Sequence, residues 1–216
     1  LMSKSLRLIL LTLISCLALN ACAPVLVGSL VESGLILADR RSTGTIADDR
    51  ILQTTIFAKV RQAFPIEVDA NKPDAVSLPS LKIRVYNHKV LLVGRVANQA
   101  QKNRIHTIAK AQKTTQKVYD YLKVAQGVRS VGDNTNDALI TGRVRMALLN
   151  VQDYSPNNVK VVTYEGIVYV FGLLTPEEQA RVSYRISTVP GVRRVITLYD
   201  RYAPTDYSAP VDRSSY

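Results

Sequence analysis

Cysteine and histidine are nearly missing from this chain, and tryptophan is missing altogether. Of its 2 cysteines, Cys16 lies inside an N-terminal apolar run and Cys22 closes that run. Neither can form half of a structural disulfide if the run is processed as argued below, so the fold must hold without a staple. The 2 histidines stand alone, His88 beside a candidate hairpin turn and His106 within a candidate helix. Neither falls in a metal-gripping spacing such as H-E-x-x-H. The adjacent pair Asp48-Asp49 could pass for a catalytic couple. Neighbouring acids at a helix start more often cap it and offset its dipole. With no free thiol, no histidine constellation and no phosphate-loop pattern, the expectation is no catalytic residue, no metal and no cofactor. No stretch after residue 40 approaches the roughly 18 consecutive apolar residues of a spanning helix.

What is present begins at the N-terminus. Lys4 and Arg7 precede the apolar run Leu8-Ile9-Leu10-Leu11-Thr12-Leu13-Ile14-Ser15-Cys16-Leu17-Ala18, which leads into Leu19-Asn20-Ala21-Cys22. A basic segment before so short a run reads as a signal peptide, and the closing tetrapeptide reads as a lipobox. The chemistry requires Cys22, whose thiol takes a diacylglyceryl thioether before cleavage frees its amine for acylation, with palmitate the expected chain. An ordinary signal peptide with a chance cysteine is the competing reading. Three acyl chains, at ~0.8 kcal/mol per buried CH2, exceed what stable anchoring needs. Ala23 follows where an Asp would direct retention at the inner membrane, so the expected address is the outer membrane, facing the periplasm.

The formal net charge is +11, or +9 without Lys4 and Arg7. A basic balance suits nucleic acid or an acidic membrane surface. Export removes nucleic acid as a natural partner and leaves anionic lipid, with a merely solvated basic surface as the alternative.

The rest of the chain says one thing twice. Lys82-Ile83-Arg84-Val85-Tyr86-Asn87-His88-Lys89-Val90-Leu91-Leu92-Val93-Gly94 lies over Lys160-Val161-Val162-Thr163-Tyr164-Glu165-Gly166-Ile167-Val168-Tyr169-Val170-Phe171-Gly172. Each block predicts two strands around a tight turn, with Glu165-Gly166 a two-residue hairpin turn. Upstream, Leu52, Ile56, Val60 and Phe64, and then Ile140, Val144 and Leu148, recur at helical spacing. Asp48 or Asp49 and Asn136 or Asp137 are candidate N-caps there. Downstream, Thr175-Pro176-Glu177-Glu178 is a capping box with proline at N1, and Asn98-Gln99-Ala100-Gln101 is a weaker version. Ala180, Ile186 and Val189 mark the inner side of the later helix, and Ile105, Ile108 and Ala109 that of the earlier one. Third strands are expected near residues 116–124 and 192–199. Gly94 and Gly172 end equivalent strands and are read as structural, permitting a bend or close packing.

The expected fold class is α+β: two tandem αββαβ units, each with two helices packed on a three-stranded mixed sheet. The expected organisation is a signal peptide (1–21), a lipidated tether (22–45), a first domain (46–125), a linker (126–134), a second domain (135–200) and a disordered tail (201–216). Prolines 65, 73 and 79 make the connection at residues 63–80 longer than its counterpart.

A doubled αββαβ unit behind a lipobox resembles the BON (bacterial OsmY and nodulation) domain family, in particular its two-domain outer-membrane lipoproteins. The resemblance rests on Asp39-Arg40-Arg41-Ser42-Thr43-Gly44 with Asp48-Asp49, on Val90-Leu91-Leu92-Val93-Gly94, on Asn158-Val159-Lys160-Val161 and on Gly191-Val192-Arg193-Arg194-Val195. It implies a non-enzymatic protein that binds anionic phospholipid, such as phosphatidylglycerol, and supports outer-membrane integrity. It also implies gathering at division sites and a link to the β-barrel assembly machinery. Lipid contact would fall on the first helix of the second domain, about residues 136–150, where Leu139 replaces the family's aromatic.

The residues of that helix bear on the idea directly. If Ile140, Val144, Ala147 and Leu148 face the core, then Leu139, Met146 and Leu149 point away from it, flanked by Arg143 and Arg145. Outward apolar groups beside arginines suit a headgroup boundary, where hydrocarbon enters and guanidinium groups pair with phosphates. The candidate contact set is Leu139, Ile140, Arg143, Arg145, Met146 and Leu149. The other reading is that this face packs on the first domain, a neighbouring subunit or an assembly-machine component, making the protein a periplasmic adaptor.

Overall fold

The computed structural model describes residues 39–64, 81–125, 131–152 and 154–203. The first domain runs α1 (Thr43–Ala63), β1 (Lys82–Tyr86), β2 (Lys89–Val96), α2 (Gln99–Lys110) and β3 (Lys117–Val124). The second runs α3 (Val131–Leu148), a 3₁₀ turn (Pro156–Asn158), β4 (Val159–Tyr164), β5 (Ile167–Leu174), α4 (Pro176–Ser187) and β6 (Arg194–Arg201). Each domain pairs an antiparallel hairpin with a parallel third strand, in the orders β1-β2-β3 and β4-β5-β6. A parallel neighbour cannot be reached by a tight turn, so α2 and α4 serve as crossovers. Two αββαβ units, each with helices on a three-stranded mixed sheet, are the α+β fold that the repeat implied.

Both hairpin turns have two residues. Asn87 and His88 have φ of 49° and 58°, and Glu165 and Gly166 have 51° and 69°. Paired positive φ values match the twist of the flanking strands. The first turn achieves this without glycine, which places His88 in a conformation that few side chains adopt.

Each sheet buries both faces. One face carries the helices: Leu52, Ile56 and Val60 of α1 and Ile105 and Ala109 of α2 close over Ile83, Val85, Val90, Leu92 and Leu122. Ile140, Val144 and Leu148 of α3 and Val182 and Ile186 of α4 close over Val161, Val168 and Val170. The remaining faces close on each other. Tyr86, Leu91 and Val93 of the first domain share a third core with Val162, Tyr164, Tyr169, Phe171 and Leu198 of the second. Phe171 stacks on Tyr86 (centroids 5.8 Å apart) and meets the edge of Tyr119 (6.1 Å), while Tyr121 and Tyr169 lie 4.9 Å apart. The result is four layers, with helices outside and sheets inside.

Several local expectations shift. The helices α1 and α3 begin earlier than the candidate caps. Ser42 caps α1, its hydroxyl accepting from Thr45 N at 3.1 Å, and α3 is already helical at Val131. The tether and linker expected at 22–45 and 126–134 therefore give up their last residues to helices, and β6 takes Arg201 from the expected tail. Gly94 and Gly172 sit two residues inside β2 and β5 rather than at their ends. Ala180 is exposed, and Val182 takes the inner position expected of it. The capping box at Thr175 and Glu178 is present. Cys22, most of the connection at 63–80 and the tail from residue 204 lie outside the described residues. Among those described, no helix is long and apolar enough to cross a membrane.

Candidate functional site

The 18-residue helix α3 has two unlike faces. Ile140, Val144, Ala147 and Leu148 go into the core of the second domain. At 3.6 residues per turn, Leu139, Gly142, Met146 and Leu149 line the opposite side. Leu139, Met146 and Leu149 are 54, 65 and 59 % exposed. Arg143 and Arg145 are exposed along the two margins of this stripe, and Arg143 makes a long contact to the Pro190 carbonyl at 3.5 Å. A methyl group at Gly142 would meet no heavy atom within 4 Å, so the middle of the stripe is bare backbone. Apolar residues on both sides deprive the helix of the single apolar stripe usual at a core-facing surface.

Five of the six residues expected to form a contact face are thus brought together. The sixth is not. Ile140 is 1 % exposed and packs where Gly191 leaves room, 3.0 Å from the position a methyl there would take. It is a core residue and cannot touch an external surface. The first domain does not cover the stripe either, because the domains meet through their sheets. On α1, Ile46, Ile51 and Phe57 are also exposed; Ile46 and Phe57 share a side but lie about three turns apart, and Ile51 is more than about 100° around the helix from both, so no continuous stripe results.

The comparisons with known proteins fit this doubled architecture. Residues 48–126 and 136–198 each match the BON domain. The chain belongs to the BON domain family. It is 26 % identical over 181 residues to the outer membrane lipoprotein DolP of Haemophilus influenzae, covering 84 % of this chain and 89 % of that relative. It is 27 % identical over 158 residues to a 21 kDa hemolysin of Actinobacillus pleuropneumoniae, covering 73 % and 76 %. Among solved structures, CdsD of the type III secretion system of Chlamydia trachomatis aligns with 13 % identity and a TM-score of 0.27, over 70 % of this chain and 92 % of that one.

Two features of these BON domains escaped the sequence reading. The first concerns the acids taken for caps. Asp49 is buried in α1, and its carboxylate accepts the backbone N–H groups of Asn87 (2.7 Å) and His88 (2.8 Å). Asp137 does the same from α3, accepting from Glu165 (3.0 Å) and Gly166 (2.9 Å). In each BON domain one helical aspartate therefore ties the helix to the hairpin turn.

The second feature is a strap across both domains. Arg40 grips Glu178 with two bonds, of 2.5 and 2.9 Å, donates to the Leu173 carbonyl and lies over the Tyr202 ring. Its neighbour Arg41 pairs with Asp49 at 2.9 Å and stacks on Tyr86. Burial pushes the Glu178 carboxyl up, but Arg40 and the Thr175 backbone overcome this and hold it below its usual range. Glu165 is likewise raised by burial and then held low overall by Lys123 and Arg95 of the first domain. Lysines add a reciprocal pair: Lys82 donates to the Thr163 carbonyl and Lys160 to the Val85 carbonyl, both at 2.8 Å. His106 bonds Asp120 at 3.2 Å, so this histidine serves the fold of the first BON domain.

Proposed function

We propose that this protein is a non-enzymatic outer-membrane lipoprotein, anchored through Cys22 and facing the periplasm. Its second BON domain meets anionic phospholipid, phosphatidylglycerol in type, through the outward face of α3. In this role it supports outer-membrane integrity, including at division sites. The observation that carries the reading is the exposed stripe of Leu139, Met146 and Leu149 between Arg143 and Arg145. Such a stripe costs solvation in water and gains at a headgroup boundary, where apolar side chains enter and guanidinium groups pair with phosphate. The address is supported by the similarity to DolP, an outer membrane lipoprotein, and by the lipobox at the N-terminus.

Flotation of residues 23–216, without acyl chains, on liposomes with and without phosphatidylglycerol tests the reading. A basic residue near an anionic surface contributes about 1 kcal/mol. Reversing both arginines (Arg143→Glu with Arg145→Glu) removes that attraction and adds repulsion, so binding should drop by roughly a hundredfold or more. Binding should also fade at high salt, because exposed charges are screened beyond ~8 Å at physiological ionic strength. A folded fragment that ignores phosphatidylglycerol at low salt would defeat the proposal and leave a protein partner, such as the β-barrel assembly machinery, as the occupant of this face.

A further inference from the structure

Where α3 ends, the stripe runs into a cavity. It lies between the last turn of α3 and the start of β4, has a volume of about 340 Å³, and is walled mainly by Leu148, Leu149, Tyr154, Val159 and Val161, with the exposed Arg145 among its lining. That volume falls at the small end of ligand sites. At roughly 30 Å³ for a water-sized group it has room for on the order of ten chain carbons. The walls offer hydrocarbon, and the neighbouring charge is positive.

We propose that this cavity takes one acyl chain of an anionic phospholipid whose phosphate pairs with Arg145. The inference rests on the reading of α3 as a lipid-contacting face and adds to it. The site does more than graze the headgroup region, because it withdraws a single chain from its neighbours. Two observations favour lipid over a protein segment as occupant. The lining is mainly apolar, with the Tyr154 hydroxyl its one uncharged polar side-chain group among the described residues. The charged side chains in it, Arg145 and Lys160, are both cations, which suits phosphate at the Arg145 end.

The probe is 1-decanoyl-lysophosphatidylglycerol, held below its micelle threshold and titrated into residues 23–216 with methyl groups observed by NMR. Glycerol 3-phosphate serves as the headgroup without a chain. Saturable shifts at Leu148, Val159 and Val161, with cross-relaxation to chain methylenes, are the expected result. Shortening the chain by two carbons, to octanoyl, should weaken binding about fifteenfold, since each methylene leaving water contributes about fourfold. Val159→Phe, which fills the cavity from a half-buried strand position, should weaken lysolipid binding by tenfold or more while flotation on phosphatidylglycerol vesicles persists. Shifts at Leu139 with none at Leu148, Val159 and Val161, or an equal response to glycerol 3-phosphate, would overturn the proposal. Should Val159→Phe not fold, the cross-relaxation in the unaltered chain decides. An unaltered chain that floats on the vesicles but shows no acyl site refutes only this inference, whereas failure of the unaltered chain to float refutes the reading beneath it.

Discussion

Replacing Asp137 by alanine removes the carboxylate that accepts Glu165 N at 3.0 Å and Gly166 N at 2.9 Å. Hydrogen bonds to a charged group are worth about 1.5–3 kcal/mol each, and a donor stranded out of water costs a comparable amount. Against this, the variant no longer has to bury a charge, which returns part of the loss. A net destabilisation of about 3 kcal/mol follows. With a urea dependence of about 1–3 kcal/mol per M, the unfolding midpoint of residues 23–216 should fall by roughly 1–3 M at unchanged slope. Asp137→Asn keeps one acceptor oxygen for the turn but sets an NH2 donor against the other amide, and should cost about 2 kcal/mol, between the unaltered chain and the alanine variant. Asp49→Ala should cost more than Asp137→Ala, because Asp49 also holds Arg41 at 2.9 Å. A loss below about 0.5 kcal/mol for Asp137→Ala, or an asparagine variant as damaged as the alanine one, would refute the assignment of these acids as turn anchors.

Other perturbations have equally definite outcomes. Phe171→Ala empties the centre of the sheet-to-sheet core, where Tyr86 and Tyr119 lean on the ring, and should cost about 3–5 kcal/mol in chemical denaturation. Gly142→Ala should do the opposite: the added methyl meets nothing within 4 Å, so the helix gains up to about 1 kcal/mol and calorimetry should show a higher Tm. Gly172→Ala, by contrast, would press a methyl to 2.9 Å from Leu174 and 3.2 Å from Tyr199 and should lower Tm. Burial, then Arg84 and Arg41, push the Lys160 ammonium down to about 8; between pH 8 and 10 the unfolded chain binds more protons there and stability should rise with pH. Burial lifts the hydroxyls of Tyr86, Tyr169 and Tyr199 to about 12, so above pH 10 the folded chain holds more protons and stability should fall. Lys160→Met should flatten the rise and leave the fall.

Much of this molecule can be read residue by residue from its sequence, and the limits have physical causes. The hairpins were legible because strand alternation and a two-residue turn are local signals, repeated at Tyr86 and Tyr164. The outward stripe of α3 was legible because its helical period shows which residues cannot face the core. The acids at 49 and 137 were misread because their partners lie 38 and 28 residues away at the nearest turn amides, and local sequence offers only the nearer explanation of capping. The sheet-to-sheet core left a partial trace. Val90-Leu91-Leu92-Val93 and Ile167-Val168-Tyr169-Val170-Phe171 are unbroken apolar runs, the mark of strands buried on both faces. Nothing local says that each run covers the other. Arg40 entered only within a block that carries the family resemblance, with no partner named, since only the folded chain brings Glu178 beneath it.

The account stands or falls on whether the outer face of α3 enters a bilayer. Without Cys16 and Cys22 the chain has no cysteine, so a spin label can be placed at one chosen position of residues 23–216. Met146→Cys and Phe57→Cys would be labelled separately and mixed with phosphatidylglycerol vesicles, and the label's access to dissolved oxygen would be compared with its access to a water-soluble nickel complex. The prediction is that the label at 146 turns oxygen-rich and nickel-poor on vesicle addition while the label at 57 stays in water. A label at 146 that remains as accessible to nickel as in free solution, on protein shown to be vesicle-bound, would contradict it.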